Sequence, residues 1–264
     1  HDVRRYPRLL LNPVPSRAWI ISAAFPYFNP LPPAAPLRWA RYALGRDYHE
    51  ELRERLSPVA SWLTSLNPDT QARITVDTAP LRERYWAVRA GVGFIGLNGQ
   101  LIVPGYGSWV LLAEIVTTQP LTPSAPCTLS CRGCMRCVRA CPGSALDGSG
   151  ALDARRCLSY LTIESRADVP THPSGTDMRG LMGRRVYGCD TCQDVCPHNL
   201  QVPVSTIPAF APRPGLLDLT AADILAMDQP AFSALMARSA IKRAKLAGLQ
   251  RNARCTARPD SPRE

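Results

Sequence analysis

Eight of the ten cysteines in this 264-residue chain fall into two related runs. Cys131, Cys134, Cys137 and Cys141 stand as C-x2-C-x2-C-x3-C with Pro142 behind them. Cys189, Cys192 and Cys196, followed by Pro197, make a shorter copy, and Cys157 lies between the two. Thiolates at these intervals suit four-iron clusters, each of which takes four cysteine sulfurs. Eight thiolates supply two such clusters. In two-cluster proteins the fourth cysteine of a run serves the other cluster, so the pairing crosses over. Cys131, Cys134, Cys137 and Cys196 are assigned to one [4Fe-4S] cluster, and Cys141, Cys157, Cys189 and Cys192 to the other. Zinc ribbons use C-x-x-C pairs without the longer run, and disulfide frameworks belong to short secreted chains. Cys127 and Cys255 fall outside both patterns.

A second candidate for chemistry is Asp77, delivered at the end of the short β-branched strand Arg73-Ile74-Thr75-Val76 and followed by Thr78-Ala79-Pro80. A carboxylate where a strand gives way to a loop is a common catalytic position, and equally a common helix N-cap. Leu81 to Ala90 reads as a helix stopped by Gly91. The stretch Gly91 to Gly99 matches G-x-G-x-x-G but follows a helix, where the dinucleotide motif needs a strand. It reads instead as a glycine loop bringing backbone amides close to a large flat ligand.

Other elements must position these groups. Ala18-Trp19-Ile20-Ile21 reads as a buried strand ending in the loop Phe25-Pro26-Tyr27-Phe28. Tyr48 to Leu66 has helical periodicity, with Leu52, Leu56, Val59, Leu63 and Leu66 on one stripe. Leu101 to Val103 and Ser108 to Leu112 look like two strands joined by a tight turn, and Gln119 to Pro126 is a proline-rich linker. Helices are expected over Thr220 to Met227, opened by a capping box from Thr220 and Asp223, and over Pro230 to Leu249. The last carries Arg238, Lys242, Arg243 and Lys245, of which Arg238, Lys242 and Lys245 would share one face.

The net charge of +10 fits a polyanionic partner such as nucleic acid, or an arginine-rich composition without functional meaning. The longest apolar runs fall far short of the ~18 residues of a membrane span, and no signal peptide is visible. Because the clusters need reduced thiols, a cytoplasmic location is expected. The chain starts at His1 rather than methionine and reads as an N-terminally incomplete fragment.

Taken together, these residues resemble the epoxyqueuosine reductase family, the cobalamin and iron-sulfur enzymes of tRNA queuosine modification. The resemblance rests on four stretches: Asp77-Thr78-Ala79-Pro80 with Glu83-Arg84; Ala90 to Ile102 with Gly107-Ser108-Trp109; the eight cysteines with Cys157 to Glu164 and Gly188 to Pro197; and Ser239 to Arg243 with Arg251-Asn252-Ala253. It covers nearly the whole chain. Leu97 stands where family members usually have a lysine. The family also has a segment before the position of His1 and often a helical-repeat region after Ala253, so the chain is expected to be truncated at both ends.

The resemblance implies an α+β fold: a cobalamin-binding α/β domain over 1–124, a ferredoxin-like domain with two [4Fe-4S] clusters over 125–212, and a basic helical tail over 213–264. It implies an oxidoreductase that removes the epoxide oxygen of epoxyqueuosine at the tRNA wobble position. Asp77 would be the proton donor, kept protonated by burial. Cobalamin contacts would come from Asp77, Gly93, Phe94, Ile95, Gly96, Asn98, Ser108, Ser159, Gln193 and Asp194. Arg238, Lys242, Arg243 and Lys245 would hold tRNA. An external electron donor and a monomeric state are expected. Two other readings stand beside it: a corrinoid reductase of small molecules, similar to reductive dehalogenases, and a non-enzymatic two-cluster electron carrier.

Overall fold

A computed structural model describes residues 10–11, 16–167 and 172–256. Its first half is built on a three-stranded antiparallel sheet in which the central strand is the last in sequence. Strand β1 (Trp19–Pro26) runs two residues further than the apolar run suggests, because Phe25 and Pro26 pair with Leu111 and Val110. A short strand β2 (Arg38–Trp39) follows, and then helix α1 (Tyr48–Ser65), capped by the Asp47 side chain on the His49 amide. Strand β3 (Ala72–Thr75) forms the opposite edge. Leu52, Leu56 and Leu63 of α1 pack with Val76, Trp109, Ala113 and Ile115 as a core. Val59 and Leu66, the other members of the expected stripe, are exposed.

Helix α2 (Glu83–Arg89) is closed by Gly91, whose positive φ of 76° favours glycine and where a Cβ would collide with the Ala125 carbonyl. Strand β4 (Phe94–Ile95) pairs with β5 (Leu101–Ile102), and β6 (Val110–Thr117) completes the sheet. The tight turn is present, closed by a bridge between Val103 and Gly107, but β5 and β6 are not paired as expected. β5 turns back on the glycine loop, and β6 inserts between β1 and β3.

The cysteine-rich half uses short elements: α3 (Arg136–Ala140), α4 (Leu158–Ile163), α5 (Met178–Met182), β7 (Arg185–Tyr187) and α6 (Thr191–Asp194). β7 runs parallel to β2, tying this half to the first. Helices α7 (Ala221–Ala226), α8 (Gln229–Leu235) and α9 (Lys245–Thr256) follow, with the capping box at Thr220 formed as expected. One core joins Leu37, Trp39 and Leu44 to Val186 and Tyr187 and to Ile224, Phe232, Ile241 and Leu249. The three expected segments therefore share buried side chains.

The helix expected over Pro230 to Leu249 is broken. The Arg213 guanidinium donates to the carbonyls of Leu235, Ala237 and Arg238, Arg238 takes a positive φ of 51°, and Ser239 caps a 3-10 turn over Ala240–Ala244. The carbonyls that would continue the helix are taken by a side chain, so the chain turns instead. Arg238, Lys242 and Lys245 consequently do not share one helical face.

Candidate active site

The cysteines separate into two cavities. Cys131, Cys134, Cys137 and Cys196 line one of about 160 Å³. Cys141, Cys157, Cys189 and Cys192 line another of about 280 Å³. Burial, chiefly, raises the thiol pKa of Cys196, and the cysteines that add to it are Cys131, Cys137 and Cys134. Cys192 is also pushed up by burial, reinforced by Cys189, Asp190, Cys157 and Cys141. Among the described residues no three His, Cys, Asp or Glu side chains converge on a single-ion site. The two leftover cysteines line neither cavity: Cys127 packs beside Phe94 and Ile102, and Cys255 beside Leu158 and Met182.

Hydrogen bonds aim at these sulfurs. The Leu97 amide donates to Cys131 Sγ at 3.4 Å, and the Ala145 amide to Cys141 Sγ at 3.2 Å. Asn98 lines both cavities. Its Oδ1 accepts from the Gln100 amide at 3.1 Å, while its buried Nδ2 has no partner among the described residues. A cluster sulfur is an acceptor of the kind this donor lacks.

The 280 Å³ chamber shares Tyr42, Tyr48, Gln100, Leu152, Cys157 and Ser159 with a cleft of about 1190 Å³. That exceeds the ~300–1,000 Å³ of ordinary small-molecule sites, and its tyrosine-rich walls, with Tyr160 and Tyr187, fit a large flat ring system. On its wall Asp77 sits in the left-handed region, with φ 52° and a side chain 54% exposed. Its Oδ2 accepts from the Tyr48 hydroxyl and faces His49 Nε2, each at 3.1 Å. His49 Nδ1 lies 2.7 Å from Asp47 Oδ1, and the Tyr48 and His49 rings stack at 4.1 Å. Hydrogen bonds to Asp47 and then Asp77 raise the His49 pKa from 6.5 to about 9. His49 in turn holds Asp77 below the usual carboxylate range.

The expectation that burial keeps Asp77 protonated is thus corrected: Asp77 is half-exposed and anionic, and the resident proton is on His49. The sequence reading missed Asp47, Tyr48 and His49. Their signal was Asp47 at a helix start, which makes the next two side chains leave the first turn together.

The expected cobalamin contacts divide. Asp77 and Ser159 line the cleft; Ser159, Asn98, Ser108 and Gln193 line the chamber. Ser108 Oγ donates to Gln193 Oε1 at 3.0 Å, and the Asn199 amide nitrogen donates to Ser108 Oγ at 2.9 Å. Gly93, Phe94, Ile95 and Gly96 line neither space. A Cβ on Gly93 would collide with the Ile102 carbonyl, and Phe94 packs against the His198 ring, so the glycine loop serves close backbone packing on β5 and the cysteines. Asp194 is also elsewhere, paired with Arg41 at 2.8 Å.

Of the basic residues, Arg238, Lys242 and Arg243 line the cleft, whereas Lys245 lines a separate cavity with Arg166, Arg251 and Arg254. Arg238 is paired with Glu50 at 2.7 Å and Arg243 with Glu164 at 2.8 Å.

A family model described as a 4Fe-4S double cluster binding domain matches residues 130–199, and one described as epoxyqueuosine reductase QueG, DUF1730, matches residues 4–78. The epoxyqueuosine reductase of Synechococcus sp. (strain CC9605) is 39% identical over 260 residues, 97% of this chain and 78% of the relative. This chain belongs to the epoxyqueuosine reductase family. The Gloeobacter violaceus member is 40% identical over 96% of this chain and 80% of its own length. A crystal structure of epoxyqueuosine reductase with a tRNA-Tyr epoxyqueuosine-modified stem loop superposes with a TM-score of 0.79 at 33% identity, over 90% of this chain. The Streptococcus thermophilus enzyme superposes with a TM-score of 0.80 at 30% identity, over 97% of this chain. The chain spans 63% and 68% of those two crystallised proteins. The family's cofactors are [4Fe-4S] clusters and cobalamin, and the fold is α+β. Among the described residues no helix is long and apolar enough to cross a membrane.

Proposed function

We propose that this chain removes the epoxide oxygen from epoxyqueuosine at the tRNA wobble position, giving queuosine. The observation that carries this reading is that an acid-base wall and a thiol-lined chamber open into one cleft: Asp77 and His49 on one side, Cys157 and Ser159 on the other. Both carbon-oxygen bonds of the epoxide break, a carbon-carbon double bond forms, and two electrons and two protons carry the oxygen away as water. Cobalamin, when bound, supplies a strongly reducing centre to the carbon-oxygen bond, and the clusters pass electrons singly. In this reading Cys131, Cys134, Cys137 and Cys196 hold one cluster, and Cys141, Cys157, Cys189 and Cys192 the other. Ser159, Ser108, Gln193 and Asn98 bound the corrinoid side of the chamber.

The protein's own chemical part is the proton. His49 is charged at neutral pH, and Asp77 lies against it at 3.1 Å. Asp77 relays that proton to the oxygen released from the ring, Asp47 stabilises the imidazolium, and the Tyr48 hydroxyl fixes the Asp77 carboxylate. A solved Bacillus subtilis relative has an aspartate-bearing catalytic loop, described as swung out of its active site, which supports reading a loop aspartate such as Asp77 as the acid-base group.

The crystallised complex with a modified stem loop supports tRNA as partner, met here by Arg238, Lys242 and Arg243 at the cleft. Residues 1–124 would supply the acid-base wall, 125–212 the clusters and 213–264 the basic surface. An external reductant feeds the clusters, the chain works as a monomer, and the reducing cytoplasm is its compartment. A bare electron carrier has no use for the acid-base wall.

The test is anaerobic reconstitution to about eight irons per chain with cobalamin, followed by reaction with epoxyqueuosine-bearing tRNA under a chemical reductant. Mass spectrometry of the released nucleoside should show loss of one oxygen. Fully loaded protein that leaves the nucleoside intact overturns the proposal.

A further inference from the structure

Asp77 is held from behind as well as from the front. Its amide donates to Glu83 Oε1 at 2.5 Å, and this bond ties the strained residue to helix α2. Behind Glu83 lies Glu114, in the middle of the central strand β6 and wholly buried. The sheet register sets Glu114 opposite Ser22 on β1 and Thr75 on β3. Both hydroxyls donate to it, at 3.4 Å and 3.5 Å, and helix α2 packs against β6 so that the Glu83 carboxyl comes within reach of the same group. A carboxyl in a sheet core is costly unless neutral or paired with a cation. Its described partners are two long hydroxyl contacts and another carboxyl.

We infer that Glu114 is a positioning residue: its protonated carboxyl donates to Glu83, which leaves Glu83 an oxygen with which to grip the Asp77 amide and hold the acid-base loop against His49. This rests on the assignment of Asp77 above but is tested without turnover. Two carboxyls in contact share one proton readily and lose it reluctantly. Burial raises Glu114 to about 8 and Glu83 to about 7, each reinforced by a neighbouring carboxylate. The charged groups around the pair are Asp77, His49 from α1, and Arg84 on α2. Below the upper value the pair keeps its proton and the grip. Above it two anions repel in a dry site and the grip opens, freeing the Asp77 backbone.

Amide hydrogen exchange at Asp77, corrected for the intrinsic pH dependence, reads this bond directly. In the wild-type chain protection should fall roughly 10- to 100-fold between about pH 7, where the pair holds its shared proton, and about pH 9, where it has lost it, the equivalent of losing one charge-assisted hydrogen bond. Glu114→Gln keeps a neutral donor at every pH, so its protection should stay high and flat. Glu83→Gln weakens the acceptor, so its protection should be low throughout. Wild-type protection that is flat with pH, or that falls equally in Glu114→Gln, overturns the inference. Failure of Asp77 as the proton relay would show in turnover and leave this measurement untouched.

Discussion

The His49 imidazole faces Asp77 Oδ2 through Nε2 at 3.1 Å, and this contact holds Asp77 anionic while adding to the larger effect of Asp47 on His49. His49 carries the proton because Asp47 and Asp77 bracket it; Asp77 stays anionic because His49 neutralises it. His49→Gln removes the cation and keeps an amide able to reach either carboxylate. Turnover should fall ~100- to 10,000-fold, the usual contribution of a proton donor, with cluster and cobalamin content unchanged. The same contact has a stability sign. The folded pKa of about 9 lies above the usual 6.5, so its contribution is whole below pH 6.5 and lost as pH rises through about 9. Thermal melts of wild type and His49→Gln across that window should converge at the alkaline end.

Asp77→Asn separates the relay from the loop that carries it. Asparagine tolerates the left-handed conformation nearly as well as aspartate, and the backbone bond to Glu83 is untouched, so the fold should survive. Turnover should fall by a factor similar to that of His49→Gln, and the double variant should be no worse than either single one, because both act on one proton. Multiplying defects in single-turnover rates would mean two independent proton routes.

The cysteine pattern was legible because ligand spacing is local chemistry written along the chain. Helix α1 and the capping box at Thr220 were legible for a related reason: periodicity and capping involve neighbours only. What stayed hidden depends on distant partners. β6 enters between β1 and β3 although β5 precedes it, so Glu114 meets Ser22 and Thr75 only once the sheet exists. Arg213 breaks the last helix from 22 residues away. The glycine loop was recognisable as a close approach, but whether it approached a ligand or Ile102 was decided by strand pairing.

The partition of thiols can be tested by counting iron. Cys157→Ala removes one thiol from the chamber that also holds Cys141, Cys189 and Cys192. Iron after anaerobic reconstitution should drop from about eight to about four per chain. Cys255→Ala, which alters only packing beside Met182, should stay at about eight. Full loading of Cys157→Ala would dissolve the assignment.

Asn98 offers its unpaired Nδ2 at the wall shared by both cavities. A hydrogen bond to cluster sulfur favours the reduced, more negative state and raises the potential. Asn98→Asp keeps the Oδ1 contact to the Gln100 amide but replaces the donor with an acceptor. At unchanged iron content, at least one cluster potential should move negative in a redox titration followed by electron paramagnetic resonance. Potentials that do not move would leave Nδ2 without a redox role.

The basic residues should act unequally on tRNA, because the broken helix sends them to different places. Lys242 lines the cleft beside Arg238 and Arg243, whose guanidinium groups are engaged by Glu50 and Glu164, while Lys245 faces another cavity. Lys242→Glu should weaken binding to modified and unmodified anticodon stem loops about equally, since phosphate contacts carry no base information. The slope of log affinity against log salt should flatten by roughly one unit for each phosphate that is no longer neutralised. Glu164→Gln should do the reverse: releasing Arg243 from its carboxylate frees a guanidinium for phosphate, so affinity and slope should both rise. A salt series on the wild type and these two variants decides the matter. If Glu164→Gln binds no better, Arg243 serves to tie the 3-10 turn to helix α4, and the cleft's hold on tRNA depends on Lys242 without it.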